Sequence, residues 1–136
     1  MMSFRNTFIR IATDCPETEG IEPPSRGGKK PVHAIHLDLL RKNPYFFTHE
    51  ELIAAGERLR EPPTGESKKE ILARLRSKPL PCLRTSALAK RYGWGIHFDP
   101  EGKIAAYSAG SAEYKKLVSD PTIDQTPAMR SKRDRG

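Results

Sequence analysis

The stretch that decides the fold reads Trp94-Gly95-Ile96-His97-Phe98-Asp99-Pro100-Glu101-Gly102-Lys103-Ile104-Ala105-Ala106-Tyr107. Two apolar runs flank a compact turn signal, the pattern of a β-hairpin. Asp at the first turn position, Pro at the second and Gly at the fourth suit a type I turn closed by a glycine bulge. That three-residue loop pairs Phe98 with Ile104 and Ile96 with Ala106, both apolar pairs on one face. A two-residue loop would set Phe98 opposite Lys103. A slip by one residue sends every side chain to the other face, so the apolar pairs specify the register. The opposite face then carries Gly95, His97, Ala105 and Tyr107, with the imidazole turned away from the apolar interior.

Upstream, Thr85 to Tyr92 suits a short helical turn with Gly93 as its left-handed exit. Thr48-His49-Glu50-Glu51 and Ser67-Lys68-Lys69-Glu70 are two capping boxes. In each, the hydroxyl accepts from the backbone N–H three residues on and the carboxylate reaches back. Leu52, Ile53, Gly56 and Leu59 line one face of the first helix, ended by Pro62-Pro63. Ile71, Leu72 and Leu75 line the second, closed by Pro79 and Pro81, and Cys82-Leu83 suits the start of a short strand. Val32 to Lys42 fits a helix through Val32, Ile35 and Leu39, or a strand through Ile35, Leu37 and Leu39. Its length and the stop at Asn43-Pro44 favour the helix. Tyr45-Phe46-Phe47 reads as an apolar plug. Residues 7–12 read as a strand with Ile9 and Ile11 toward the core. Residues 16–31 form a long loop, acidic at Glu17, Glu19 and Glu22 and basic at Arg26, Lys29 and Lys30.

Downstream, Ser111 caps a short helix with Tyr114, Leu117 and Val118 as its buried stripe. The polar residues 120–136 read as a disordered tail. The expectation is therefore one α+β domain over 1–119: a small antiparallel sheet of the 7–12 strand, the C-terminal hairpin at 94–107 and residues near 82–84. Helices near 32–42, 49–60, 67–77 and 112–118 cover mainly one face of it.

The 136 residues suit one domain, and the 36% hydrophobic content supports one core with part of the length left outside it. No apolar run approaches the roughly 18 residues of a membrane span, and the first residues lack a secretory signal's apolar segment. Two cysteines far apart, Cys15 and Cys82, are expected as reduced thiols, and the location as cytoplasmic. The formal charge of +7 favours anionic partners.

Several of these segments resemble a family of short uncharacterised bacterial and fungal proteins, a domain of unknown function. They are Ser3-Phe4-Arg5-Asn6-Thr7-Phe8-Ile9, the loop from Pro23 to Pro31, Asn43-Pro44-Tyr45 with Thr48, and above all Lys90-Arg91-Tyr92-Gly93-Trp94-Gly95-Ile96-His97 with Gly102-Lys103-Ile104-Ala105. The likeness spans about residues 3–118 and implies a single domain. It carries no activity, so it transfers no catalytic residue. Val32 stands where such sequences often have Ser or Thr, so the resemblance lends the helix at 32 no N-cap.

Two clusters are candidate sites. Arg26, Lys29 and Lys30 around Gly27-Gly28 suit an anion nest, without the spacing of a P-loop. Arg84, Ser86, Lys90 and Arg91 with Tyr92, Trp94 and His97 combine phosphate-holding cations with rings that stack on a base. His97 is the candidate general acid or base, with Tyr107 a neighbour on its sheet face. His33 and His36 lack a marked third ligand, so no metal is expected, nor any cofactor. Cys82 lacks a partner that would make it a nucleophile.

The leading reading is a binding module for a small phosphate- or carboxylate-bearing ligand, which requires the two basic segments to meet. The second is a small enzyme using His97, which requires that residue to line a concave pocket. The third is nonspecific nucleic-acid binding, unsupported by any motif. The sequence assigns no oligomeric state.

Overall fold

The computed structural model describes residues 5–25, 30–59, 65–77 and 83–129. Arg26, Lys29, the prolines at 62–63, 79 and 81, Cys82, the Leu75 side chain and residues 130–136 lie outside them. Strand β1 (Thr7–Arg10) is followed by helices α1 (Val32–Lys42), α2 (His49–Leu59) and α3 (Lys68–Arg76), a single 3-10 turn at Leu83–Thr85, and α4 (Ala87–Lys90). Then come β2 (Trp94–Phe98), β3 (Ile104–Ser108), α5 (Ala112–Ser119) and β4 (Asp124–Pro127).

The hairpin takes the register its sequence dictates. Phe98 lies opposite Ile104, Ile96 opposite Ala106 and His97 opposite Ala105. The Asp99 carboxylate accepts from the N–H groups of Glu101 and Lys103, both at 2.9 Å, and Gly102 takes φ 84°. That left-handed value closes the bulge and suits a residue without Cβ. Strand β1 pairs antiparallel with β2, setting Phe8 opposite His97 and Ile9 opposite Ile96.

The sheet is mixed rather than wholly antiparallel. Its order is β3-β2-β1-β4, and β4 runs parallel to β1. The fold therefore extends past residue 119 into the stretch read as tail. Asp124-Gln125-Thr126-Pro127 has no apolar pattern of its own, and its partner makes it a strand. Asp124 and Ala128 donate to the Asn6 and Arg10 carbonyls at 3.0 and 2.8 Å. Pro127 falls on the alternate, outer edge, where its missing N–H breaks no ladder bond. Of the strand expected near 82–84, Cys82 lies outside the described residues, and Leu83 and Arg84 form the 3-10 turn instead.

Helix formation follows local signals. Both capping boxes close: Glu51 N–H donates to the Thr48 hydroxyl at 3.3 Å and Glu70 N–H to that of Ser67 at 3.2 Å. Ser86 and Ser111 cap α4 and α5 through their hydroxyls. Helix α1 starts at Pro31 with no side-chain cap.

The core lies on one face of the sheet. Ile9, Ile96, Phe98 and Ile104 pack with Leu40 of α1, Leu52 of α2 and Leu83, while Trp94 packs with Leu37 and Leu88. Leu59 departs from its expected face and is exposed, and Ile11, beyond the end of β1, is only half-buried. Helix α5 departs further, because it covers the other face. Its Tyr114 ring meets Phe8 edge-on at 5.0 Å, and its hydroxyl accepts from the Ile11 N–H at 3.0 Å. Phe8 and Ile9 are both fully buried, so β1 is covered on both sides.

Gly95 makes that second layer fit. A Cβ there would stand 2.5 Å from Phe8 Cζ and 2.6 Å from the Tyr114 ring. Gly95→Ala is expected to destabilise the protein by about 1–3 kcal/mol through overpacking, read as a lower urea midpoint with an unchanged slope.

Candidate functional site

On the face beneath α5, the Tyr45 hydroxyl lies 2.8 Å from His97 Nδ1 and 2.9 Å from the Tyr107 hydroxyl. Tyr107 and His97 are delivered by the hairpin register. Tyr45 arrives from outside the sheet. Residues 45–48 run along the free edge of β3: Tyr45 N–H donates to the Ile104 carbonyl, Ile104 N–H donates to that of Phe47, and Thr48 bridges to Lys103. Tyr45 takes φ 59°, a left-handed value that costs a non-glycine residue roughly 1–2 kcal/mol. Its backbone bond and two side-chain bonds, each worth about 0.5–1.5 kcal/mol, offset that cost. The bend carries the ring around the edge onto the face where His97 stands. The tripeptide read as an apolar plug therefore contributes a polar anchor.

The chain of three groups runs in either of two directions. With Tyr107 donating to Tyr45 and Tyr45 to Nδ1, the imidazole carries its proton on Nε2. In the reverse direction Nδ1 donates and Nε2 is a bare acceptor. Burial holds the His97 pKa below its ordinary value, against the opposing pull of the Asp99 and Asp120 carboxylates. Burial and the Tyr107 hydroxyl hold the Tyr45 phenol above its own. Imidazole and Tyr45 phenol are both neutral at pH 7. His97 itself is only 9% exposed, and its Nε2 has no hydrogen-bond partner. Two clefts of about 450 and 460 Å³ border α3, the first set among Arg5, Glu50, Lys68 and Glu101 and the second among Lys68, Lys69, Leu72 and Ala73. His97 lines neither of these two clefts.

The eight described residues of the ten candidates do not share one face of the sheet. Trp94 and His97, three residues apart on β2, face opposite ways. Trp94 lies in the core with its indole N–H donating to the Ile21 carbonyl at 2.7 Å and the Arg41 guanidinium 5.3 Å from the ring centre. Tyr92 stacks on His33, 5.2 Å between centroids and 22° between planes. Arg84 Nε donates to the Pro127 carbonyl at 2.8 Å, tying the 3-10 turn to β4, and Ser86 is a helix cap. Lys90 is half-exposed, Arg91 exposed, and Lys30 pairs with Asp38 of α1. Arg26 and Lys29 lie outside the described residues. The acidic half of the loop packs at Gly93, with Ile21 N–H donating to the Tyr92 carbonyl at 2.9 Å. The Glu19 carbonyl there would stand 2.4 Å from any Cβ on Gly93.

Sequence reasoning missed Tyr45 and the His33–Tyr92 stack. Asn43-Pro44 immediately before Tyr45 was the available signal for an irregular bend. The stack had none, since it joins residues 59 positions apart.

His33 and His36 go to different surroundings. His36 is buried between α1 and α2, its Nε2 so close to Gly56 that a Cβ there would stand 2.7 Å away. Among the described residues, no group of three or more His, Cys, Asp or Glu side chains could hold a metal. Burial pushes the His36 pKa down to about 4, with His49 and His33 acting in the same direction, and burial also lowers that of His49.

The unfolded chain therefore takes up these protons first as pH falls. Stability is full above the ordinary histidine value of 6.5, falls between there and about pH 4, and His36 alone accounts for about 3 kcal/mol of the loss. Urea midpoints at pH 7, 5.5 and 4 should decline, and more shallowly in His36→Leu. Tyr45→Phe leaves His97 Nδ1 and the Tyr107 hydroxyl without their shared partner. It should cost about 1–3 kcal/mol at pH 7, measured in the same assay.

Among the described residues, no helix is long and apolar enough to cross a membrane. No curated protein and no solved structure matches the chain. The profile of a family of unknown function (DUF6157) matches residues 1–134, nearly its whole length. The chain thus belongs to that family, and its α+β fold is a four-stranded mixed sheet with helices on both faces.

Proposed function

We propose that the protein is a small cytoplasmic binding module for an anionic ligand bearing phosphate or carboxylate groups, held where α1 begins and α4 ends. The observation that carries this reading is the stack of His33 on Tyr92. It joins the first turn of α1, just after Lys30, to the residue that follows Lys90 and Arg91. The start of α1 and the end of α4 thereby come together, which supports a shared site for Lys30, Lys90 and Arg91.

The start of α1 supports the reading. Its first turn holds no acidic residue and no side chain caps it. The leading N–H groups of a helix carry its partial positive charge, and an anion satisfies both. Among the described residues, Lys30 reaches Asp38, and Lys90 and Arg91 are the cations at the end of α4. The ligand is small rather than a nucleic acid. Glu17 and Glu19 stand at Gly93, beside Tyr92, and Glu22 pairs with Arg41 at 3.5 Å. A polyanion crossing this surface would meet those carboxylates.

The test is a thermal-denaturation series with pyrophosphate and with citrate. At a hundredfold excess over Kd, a ligand of the native state should stabilise by about 2.7 kcal/mol. The effect should weaken as salt rises and vanish in the Lys90→Glu/Arg91→Glu double variant. No stabilisation by either anion at millimolar concentration would refute the proposal.

A further inference from the structure

The face beneath α5 holds three buried polar atoms without hydrogen-bond partners: His97 Nε2, Gln125 Oε1 and Arg10 Nε. The register gathers them around one residue. Phe8 stands opposite His97 in β2 and opposite Gln125 in β4, and Arg10 follows two positions along on the same face. Each unpaired buried polar group costs about 1–3 kcal/mol, and folded proteins leave few of them.

The three atoms have complementary chemistry. Arg10 Nε only donates. Gln125 Oε1 only accepts, and its amide is oriented because Nε2 donates to the Leu117 carbonyl at 2.6 Å. His97 Nε2 does either, according to the direction of the Tyr107–Tyr45–His97 chain. The cover is lightly seated. Helix α5 buries none of its eight residues fully. Among the described residues, side-chain bonds from Tyr114 to the Ile11 N–H and from Gln125 to Leu117 tie it to the sheet. Elements with few buried contacts open locally at a lower free energy than global unfolding.

We propose that this face is a second ligand site, closed by α5, for a small molecule of the hydroxy-acid class, carrying a carboxylate and a hydroxyl together. The carboxylate pairs with Arg10, the one cation of the set. The hydroxyl donates to Gln125 Oε1 or exchanges a hydrogen bond with His97 Nε2, whose tautomer the two phenols set. The site lies across the sheet from the anion-binding surface proposed above and does not depend on it.

The test follows histidine carbethoxylation by diethylpyrocarbonate in the full chain at pH 7, residue by residue, by mass spectrometry. His36 and His49 are buried in the opposite layer and report global opening. His97 should react at least tenfold faster than either, and faster again in Tyr114→Phe, which lacks the tie to Ile11. Glycolate should slow its modification several-fold, acetate much less, and in Arg10→Met glycolate should give no protection. His97 reacting no faster than His36 and His49 would overturn the proposal, because the cover then does not open. Fast reaction unprotected by glycolate, or protection surviving in Arg10→Met, would also overturn it, since water alone or another contact then accounts for the face.

Discussion

The pairing of Phe98 with Ile104 is the contact on which the rest of the structure depends. It sets the parity of β2 and β3, and through Ile96 opposite Ile9 it sets that of β1. Once parity is set, Trp94, Ile96, Phe98 and Ile104 belong to the layer of α1, α2 and α4, while Gly95, His97, Ala105 and Tyr107 belong to the layer of α5. A shift by one residue would bury His97 among aliphatic side chains and expose Phe98, at a cost far beyond what any single helix contact returns.

The two layers differ in kind. The first is a conventional apolar core, filled by Leu40, Leu52 and Trp94 with its hydrogen-bonded indole. The second is thin and polar. Phe8 and Tyr114 supply its apolar contact, and the rest is a hydroxyl–hydroxyl–imidazole chain with a nearby amide and guanidinium. In a low-dielectric layer such groups bind strongly when paired and destabilise strongly when not. Helix α5, none of whose residues is fully buried, is the cover over these unpaired polar atoms. The apolar layer spaces its histidines differently, wedging His36 against Gly56, and there acid acts on stability rather than on binding.

The hairpin, the caps of three of the five helices and the left-handed exit at Gly93 were legible in the residues, because each rests on contacts within a few positions. Asp99-Pro100-Glu101-Gly102 builds its turn from its own carboxylate, and Thr48 and Ser67 find their partners three residues away. The direction of the His97 side chain was legible for the same reason. Its burial was not, since that depends on α5 crossing back over the sheet and on Tyr45 arriving from the far edge. Grouping Trp94 with His97 as one site failed on parity: residues three apart on a strand face opposite ways.

Strand β4 marks the boundary between the two kinds of information. By itself the chain determined its local elements, the hairpin register and the split of β2 into an apolar and a polar side, because alternation and capping act over short separations. Only the tertiary structure made a strand of Asp124-Gln125-Thr126-Pro127, bent Tyr45 onto His97 and stacked His33 on Tyr92. The physical reason is that those contacts draw their stability from partners tens of residues away, and no local propensity encodes such a partner.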